Sequence, residues 1–391
     1  MIEMWNRILT IGLIGWLGTT LSAFGARAAA STPDFVEPSP SPSPGSLQVF
    51  HSEIERDYNL RSIGQLQITN LRGAISVQGW SQDKIRVKAK RTVYATSSDE
   101  AKKLFSAMDF RYQEKEGNIE FSGQYGQGLA IDERVQERQR TFSDPTKAAR
   151  MEMVVFAPSS LKLKVWASEG VVALKGWNSD AELRSSSGEI DGDTLKGSRV
   201  SCLCQSCSVH LKNTRGSIRA MTQSGSLNLD DSDASDIYLE TSSGPISVNH
   251  VGGEQLLFVT KTGAITAKGL RGNLEFHTQQ GAVSVTELNG FASGRSDSGD
   301  IEIKARDWEF HDNALIESQR GNVSVWLPAN FAGDVDVASR KGTAEVTFSL
   351  KRSSEIPSNP SHWVGRIGEE ATDLLKIYSD TGAVKLLRAT W

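Results

Sequence analysis

The sequence predicts an all-β fold, a parallel β-solenoid (β-helix) with coils of about 18–19 residues. Two observations support this prediction. A short glycine-led apolar motif recurs at a nearly constant interval along most of the chain, and apolar residues alternate with polar ones on both sides of these glycines. A non-repeating insertion containing one short helix interrupts the pattern near its start.

The amino-terminal residues predict export. Arg7 precedes a mostly apolar stretch, 8–24, and small residues follow it, so residues 1–30 are interpreted as a signal peptide. The alternative is an uncleaved membrane anchor. Residues 31–46 form a Pro/Ser-rich linker, and 47–391 a single β-solenoid domain without an integral membrane span. We therefore expect the mature protein in the periplasm, at the cell surface or outside the cell.

Composition excludes several classes of protein. The chain has 391 residues, 35 of them glycine, and a formal net charge of −4. These values are typical of a globular protein rather than a disordered or collagen-like chain. The balanced charge leaves no basic surface for nucleic acid.

The repeat is defined by a register position, which is usually a glycine followed by apolar residues two and four positions later. It occurs at 170, 188, 207, 225, 244, 263, 281, 299, 321 and 342, so the intervals are 18, 19, 18, 19, 19, 18, 18, 22 and 21 residues. Cys207 replaces the glycine in its coil. Further glycines lie nine residues after a register position, at Gly197, Gly216, Gly253, Gly272 and Gly290.

Each side of the register glycine predicts a half-buried strand. Positions +2 and +4 are apolar, as in Ile246 and Val248, and positions −7, −5 and −3 alternate likewise, as in Leu256, Phe258 and Thr260. Because the same phase recurs in every unit, parallel stacking at about 4.8 Å per coil places like residues over one another. An antiparallel sandwich is the alternative, but it gives no reason for a fixed phase.

Position −3 predicts a column of hydroxyl groups at one corner of the solenoid. We expect the glycines beside it to supply a positive φ for the turn. The column contains Ser185, Thr222, Thr241, Thr260, Thr278, Ser296, Ser318 and Ser339.

Residues 81–165 do not repeat and are predicted to cap one end of the main stack, 166–391. Ser97 and Glu100 form a capping box at the start of a short helix. The charged stretch 132–150 is interpreted as a loop or a mobile hairpin.

The first coil is predicted to lie beside a later one. The motifs that begin at Gly73 and Gly170 match at every offset as far as Trp80 and Trp177. We therefore expect these coils to be neighbours, with the two tryptophans stacked or adjacent. A second excursion, 353–370, precedes the last coil.

This pattern resembles a bacterial family of exported β-solenoid domains of unknown function, whose members are named as proposed adhesins. Its members begin with a Gly-x-Ile-x-Val coil, here 73–77, and an irregular insertion. They continue through a strand ending in Val-x-x-Pro, here 155–158, and then through repeated Ser/Thr-x-x-Gly-x-Ile coils. The resemblance covers roughly residues 60–388. It implies a β-solenoid and brings no catalytic signature.

The three cysteines, Cys202, Cys204 and Cys207, spell C-x-C-x-x-C. A metal site would need a fourth ligand and a common focus. The repeat columns instead place Cys202 and Cys204 inward as small core residues. A Cys204–Cys207 disulfide across the corner is the other interpretation, in an oxidising compartment.

Stacking also brings together Asp191, His210 and Ser208, which match a catalytic triad by residue type. A flat strand face lacks oxyanion donors, which argues against catalysis. The carboxylate pairs Asp297/Asp300 and Glu189/Asp191 are the candidates for glycosidase chemistry.

The acidic run from Asp230 to Asp236 suggests a calcium loop, but it lacks the glycine and glutamate of an EF-hand. A solvated acidic turn is the alternative. The columns around the corner predict a flat face of small polar groups that either binds an extended protein or glycan or is only solvated. Column +1 is Ser208, Ser226, Pro245, Ala264 and Ala282, and column −2 is Gln205, Gln223, Ser242, Lys261 and Gln279.

The sequence therefore predicts an exported, non-catalytic β-solenoid that acts as a cell-envelope structural or adhesion-type binding module. We expect no cofactor or metal, and a protein or glycan of the envelope as partner. Two alternatives stay open: a β-helical polysaccharide lyase or hydrolase, and an end-to-end polymerising envelope scaffold. The handedness of the coil, the partner and the oligomeric state do not follow from the residues.

Overall fold

The computed structural model describes residues 35–36, 48–60, 63–125, 149–309, 313–351, 361–369 and 373–389. The predicted signal peptide, most of the linker, most of 132–150 and part of 353–370 lie outside the described residues. In the part that is described, no helix has the length and apolar character needed to cross a bilayer.

Strands dominate the described chain, and one helix interrupts them. The amino-terminal strands are β1 (Phe35–Val36), β2 (Gln48–Asn59), β3 (Gln65–Arg72), β4 (Ile75–Trp80), β5 (Lys84–Ala95), β6 (Met108–Lys115), β7 (Asn118–Tyr125) and β8 (Arg150–Pro158), with helix α1 (Ser98–Ser106) after β5. The central strands are β9 (Lys162–Trp177), β10 (Ala181–Leu195), β11 (Arg199–Lys212), β12 (Arg215–Thr222), β13 (Leu227–Asp230), β14 (Asp233–Thr241), β15 (Ile246–Thr260), β16 (Ile265–Thr278), β17 (Val283–Asn289), β18 (Ala292–Ser296), β19 (Ile301–Asp307), β20 (Ala314–Ser318) and β21 (Val323–Leu327). The last are β22 (Gly333–Ser339), β23 (Ala344–Val346), β24 (His362–Ile367), β25 (Leu374–Ser379) and β26 (Val384–Arg388).

These strands form two parallel ladders. Ladder A contains the strand segments that follow each register position, and ladder B contains those that precede it. In ladder A, Ile246 pairs in parallel with Ile265, and Ile265 pairs in parallel with Val283. The solenoid prediction is therefore confirmed, since like positions of successive coils lie over one another in one sheet.

The core lies between the two ladders, and the alternation of side chains explains it. Positions +2 and +4 of ladder A and positions −7, −5 and −3 of ladder B point inward, and their side chains are buried. Phe258 and Phe276 are both fully buried and stack in register in ladder B. Each coil therefore contributes one apolar layer, and no coil has a complete core without its neighbours.

The predicted hydroxyl column seals one corner of the coil, which we call the hydroxyl corner. Thr241 is typical, because its Oγ1 accepts the N–H of Gly244 at 3.1 Å and donates to the carbonyl of Gly225 in the preceding coil at 3.2 Å. The contact to the coil's own glycine N–H recurs at 2.7 to 3.1 Å for Thr222, Thr260, Thr278, Ser296, Ser318, Ser339 and Ser379. The corner thus joins neighbouring coils by side-chain as well as backbone hydrogen bonds.

From the sequence, the register glycines are expected to supply a positive φ, and this expectation is wrong for most of the stack. Gly73, Gly170 and Gly188 have φ values of 109°, 122° and 116°, whereas the register glycines from Gly225 onward do not lie in the left-handed region. Space is the requirement there, since a Cβ on Gly263 would lie 1.8 Å from the carbonyl oxygen of the glycine one coil below.

The left-handed backbone lies instead at the opposite corner, six residues after the register position. We call it the left-handed corner. Its residue has a φ between 47° and 67° in seven coils, at Gly176, Thr194, Asn213, Asp231, His250, Gly269 and Glu287. Asn, Asp and His are the residues other than glycine that tolerate this conformation best.

At the amino-terminal end, the insertion builds a coil as well as a cap. The β3–β4 coil pairs in parallel with β9 on one side, as the matching motifs predict. On its other side β3 pairs with β7 and β4 with β8, also in parallel. Antiparallel strands then end both ladders: β5 and β2 beyond β8, and β6 beyond β7.

The predicted helix and its Ser97 cap are confirmed, while Glu100 bonds one residue before the N-cap instead of closing the capping box. Ser97 Oγ accepts the N–H of Glu100 at 3.2 Å, and the Glu100 carboxylate accepts the N–H of Thr96 at 2.8 Å. At the other end of α1, the buried guanidinium of Arg91 donates to the carbonyls of Phe105 and Met108 at 3.1 and 3.0 Å. A cation is favourable at a helix carboxyl terminus because of the helix dipole.

The two matching tryptophans have different surroundings although β4 and β9 are paired. The ring of Trp80 lies 5.6 Å from that of Phe156, and its Nε1 donates to the carbonyl of Lys84 at 2.9 Å. Trp177 is fully buried and donates to the carbonyl of Leu161 at 3.0 Å.

At the carboxyl-terminal end, the order of coils in space differs from their order in the chain. β20 and β21 pair in parallel with β25 and β26, whose other edges pair with β22 and β23. The last coil of the sequence is therefore inserted between the coils of Gly321 and Gly342. The hydroxyl corner has the same order, since Ser379 Oγ donates to the carbonyl of Gly321 at 2.9 Å and Ser339 Oγ to that of Gly382 at 2.8 Å.

The order of coils differs from chain order at this end because β25 and β26, and not β22 and β23, pair with β20 and β21. After β21 the chain leaves a gap one coil wide, and β24 pairs antiparallel with β22. The terminal coil then fills the gap and satisfies the backbone groups of strands on both sides, which would otherwise be open edges.

Candidate functional site

The outer face of ladder A carries a shallow groove that crosses five coils, from that of Gly188 to that of Gly263. Its volume is about 420 Å³. Polar side chains from positions +1, +3 and +5 line it, including Glu189, His210, Asn228, Asp230, Asn249 and Lys268. We call it the ladder A groove. Strands position its side chains more rigidly than loops would.

His210 is held between two carboxylates in this groove. Its Nε2 lies 3.0 Å from Oδ2 of Asp230, and its Nδ1 lies 3.7 Å from Oδ1 of Asp191. Asp191 pairs with His210 across the ladder, as stacking predicts. Ser208 Oγ instead accepts a hydrogen bond from Ser226 Oγ at 3.0 Å. A nucleophile–base pair needs a hydrogen bond between serine and histidine, and in the described chain Ser208 and His210 make none.

The acidic run is opposed by lysine, histidine and arginine side chains of neighbouring coils. Asp231 lies 3.8 Å from Lys212 and 3.7 Å from His250, and Asp233 accepts from Arg271 at 2.7 Å. Over the ranges that the structure describes, no group of three or more His, Cys, Asp or Glu side chains could hold a metal ion. These contacts match the solvated acidic turn better than a calcium loop.

The family of the chain follows from a family model, described as Toastrack DUF4097, that matches residues 83–364. The chain belongs to the Toastrack DUF4097 family. The match starts just before β5 and ends within β24, so the β3–β4 coil and the β25–β26 coil of the Toastrack stack lie outside it.

Solved structures similar to this Toastrack protein share little sequence with it. A proposed cell adhesion protein from Clostridium sporogenes is 10% identical, with 87% of this chain and 100% of that chain covered and a TM-score of 0.22. A proposed lipid binding protein from Parabacteroides distasonis is 15% identical, with 70% and 95% covered and a TM-score of 0.35. A proposed adhesin from Bacteroides fragilis is 14% identical, with 86% and 97% covered and a TM-score of 0.24. No curated protein matches the chain significantly.

The cysteines lie in the Toastrack core as their columns predict. Cys202 is fully buried and free, and burial raises the pKa of its thiol to about 12. Cys204 and Cys207 form a disulfide whose Cα atoms are 5.7 Å apart. The bond spans the hydroxyl corner in the one coil of the stack whose register residue is cysteine.

The remaining carboxylate pairs are spread over the surface. Glu189 lines the ladder A groove, while Asp191 faces His210. Asp300 Oδ1 accepts the N–H of Asn322 at 2.7 Å. Asp297 and Asp300 lie on opposite sides of Gly299 at the hydroxyl corner.

The small polar columns predicted at +1 and −2 flank the hydroxyl corner, and most of their side chains are exposed. The groove itself lies further along ladder A. Sequence reasoning missed Asn228, Asn249, Thr266 and Lys268, which are outward residues at +3 and +5. The signal was available in the same repeat register, because every odd position after the glycine faces outward.

Proposed function

We propose that the protein is an exported, non-catalytic binding module of the adhesion type that holds an extended polar chain, such as an envelope glycan, in the ladder A groove. The observation that carries this proposal is the groove's polar lining on paired strands, where the amide and hydroxyl groups of Asn228, Asn249, Ser247 and Thr266 lie beside charged side chains such as Asp230 and Lys268. The amide and hydroxyl side chains offer many hydrogen bonds and lose less entropy than a long lysine or glutamate when a ligand orders them.

The shape of the groove supports an elongated ligand. From the coil of Gly188 to that of Gly263 there are four intervals, which correspond to about 19 Å along the stack. Asn228 and Asn249 contribute both donors and acceptors, and His210 is positioned by Asp230. A chain lying across the strands would meet a polar side chain at each coil, with the residue type changing from one coil to the next.

The export that the sequence predicts, the membership of the Toastrack DUF4097 family and the regular surface support a binding role over catalysis. The arrangement of Ser208 and His210 does not favour an acyl-transfer enzyme. No observation favours an end-to-end polymer.

Binding of soluble glycans, including peptidoglycan strands, to the full chain tests the proposal. We expect the double variant Asn228→Ala/Asn249→Ala to bind about tenfold more weakly, since it removes two groove amides. The matched control is Ser284→Ala/Thr286→Ala, which changes the same columns outside the groove and should bind like the wild type.

Three results would overturn the proposal. The first is equal binding of both double variants, and the second is no binding of any glycan to the wild type. The third is that the wild type releases new reducing ends from a glycan and that Glu189→Gln does not, which would make the protein a glycan-cleaving enzyme.

A further inference from the structure

The outer face of ladder B differs from the groove face in the same coils. Its outward positions −6 and −4 carry large apolar, aromatic and cationic side chains rather than small polar ones. We call the set Trp166, Arg184, Leu203, Arg219, Met221 and Tyr238 the ladder B patch. Parallel pairing places Trp166 beside Arg184, Arg184 beside Leu203, Leu203 beside Met221, and Arg219 beside Tyr238.

The patch is accessible. Trp166 is 37% exposed, one of the few large apolar side chains on the surface of the described chain, and Arg184 and Arg219 are exposed. Leu257 and Val259 continue it into the next coil and are half-buried. Trp, Tyr, Met and Arg are the residues enriched at protein–protein interfaces, and Trp, Tyr and Arg dominate their binding energy.

Cations cover the two aromatic rings. The guanidinium of Arg184 lies 5.4 Å from the ring centre of Trp166, and that of Arg219 lies 5.1 Å from the ring centre of Tyr238. Glu182 pairs with Arg184. Among the described residues, Arg219 contacts the Tyr238 ring and the sulfur of Met221, which lies 3.2 Å from its Nε. Neither contact is with a carboxylate.

Cations outnumber carboxylates around the patch. Lys162 and Lys164 lie beside it on β9 and Lys261 at the next corner, against Glu182 and Glu240 at its own outward positions. Because Glu182 already pairs with Arg184, Arg219 is the arginine that a partner's carboxylate would meet. The chemistry complementary to this face is therefore anionic and apolar together.

We propose that the ladder B patch docks an extended acidic segment of a partner protein that carries both carboxylate and apolar side chains on the face it turns to the patch. This requires pairs of each along the segment, because successive side chains point to opposite faces. A glycan fits less well, because guanidinium groups occupy the aromatic faces on which a sugar ring would stack. Leu203 and Met221, which pair in register, also favour apolar side chains opposite them, and so does Leu257 beside Tyr238.

The length of the segment follows from the geometry. The distance from the coil of Trp166 to that of Tyr238 is four intervals, about 19 Å, which about six extended residues span at ~3.3 Å each. The patch and the groove lie on different ladders, so this inference is independent of the glycan proposal.

Fluorescence anisotropy with the full chain and a labelled peptide Glu-Glu-Leu-Tyr-Glu-Glu-Leu, which has carboxylate and apolar side chains on each face when extended, tests the inference. We expect saturable binding that Arg219→Glu weakens by about tenfold or more, and that Trp166→Ala weakens as well. The matched control is Arg295→Glu, a charge reversal on the same ladder face, where Arg295 pairs with Glu317 at 3.3 Å. It should bind like the wild type, and circular dichroism checks that each variant is folded.

Three outcomes would overturn the inference. The first is no binding of the peptide to the folded wild-type chain. The second is equal loss in Arg219→Glu and Arg295→Glu, which would show unspecific attraction of charge. The third is preferential binding of polygalacturonate that depends on Trp166, which would make the patch a glycan site.

Discussion

At the hydroxyl corner, backbones of successive coils approach so closely that a side chain on the register glycine has no room. At the left-handed corner, the backbone of one residue is twisted to a positive φ while space remains around it. A Cβ on Gly263 would lie 1.8 Å from a carbonyl oxygen, whereas a Cβ on Gly176, with a φ of 66°, would meet nothing within 4 Å.

This difference explains which substitutions each corner has accepted. The left-handed corner contains Thr, Asn, Asp, His and Glu besides glycine. The hydroxyl corner keeps glycine from Gly225 onward, and its one exception, Cys207, lies beside the coils whose register glycines have a positive φ. Glycine can therefore recur in a solenoid sequence for two reasons, lack of space or a positive φ, and only positions of the second kind also accept residues with side chains.

The largest predicted effect is that of Gly263→Ala. We expect it to lower the free energy of unfolding by about 4 kcal/mol or more, because the new methyl group must push two coils apart and break their shared hydrogen bonds. Urea denaturation followed by circular dichroism measures the change.

Gly176→Ala is the matched control at the other corner. We expect a loss of only about 1–2 kcal/mol, the cost of a left-handed conformation in alanine. Equal losses in the two variants would contradict the distinction between space and conformation.

The second prediction concerns the hydroxyl itself. Thr241→Val keeps the shape of the buried side chain but leaves the Gly244 N–H and the Gly225 carbonyl without their side-chain partner. We expect a loss of about 1–3 kcal/mol in urea denaturation.

Thr241→Ser is its control, since serine occupies this column in other coils and keeps the oxygen. We expect it to lose less than Thr241→Val. If valine were as stable as threonine, the hydroxyl column would be a consequence of the turn and not a source of stability.

Much of the fold could be predicted from the sequence because the repeat is strict where the coils are uniform. The phase of the repeat alone predicts that Ile246, Ile265 and Val283 share a sheet, but it does not determine the order of the coils in space. The insertion of 374–388 between the coils of Gly321 and Gly342 therefore could not be read from spacing. Strand pairing between segments far apart in the chain decides it.

The candidate sites were less predictable than the fold. Register placed Asp191 beside His210, but side-chain rotamers decide that Nε2 of His210 turns to Asp230 and that Ser208 turns to Ser226. The ladder B patch was missed because the columns inspected were +1 and −2, whereas its residues occupy −6 and −4. Their composition was visible in the sequence once every outward column is read.

The third prediction concerns the coil in which a disulfide replaces the hydroxyl and the glycine. Closing so short a loop should stabilise the fold by about 2 kcal/mol, so Cys204→Ser should lose about that much in urea denaturation without reductant. The wild type in dithiothreitol should fall to the same value.

The double variant Cys204→Ser/Cys207→Gly restores the residues that other coils have at this corner. We expect it to be more stable than Cys204→Ser by about 1 kcal/mol, because glycine at 207 lets this coil adopt the close spacing that the other register glycines allow. A double variant less stable than the single one would mean that this coil cannot adopt the common form of the corner.

The smallest predicted effect is at the left-handed corner, where Thr194 has a φ of 59°. A β-branched residue is strained in this conformation, and Asn213 occupies the same position one coil later without that strain. Thr194→Asn relieves this strain but loses the hydrogen bond from Thr194 Oγ1 to Asp193, at 2.9 Å. We expect a net rise in the free energy of unfolding of about 0.5–1 kcal/mol. Thr194→Gly relieves the same strain but loses more entropy on folding, so its gain should be smaller than that of asparagine. Loss of stability in both variants would mean that the side-chain contacts of Thr194 outweigh its backbone conformation, and the contrast between the two corners would then hold only for glycine.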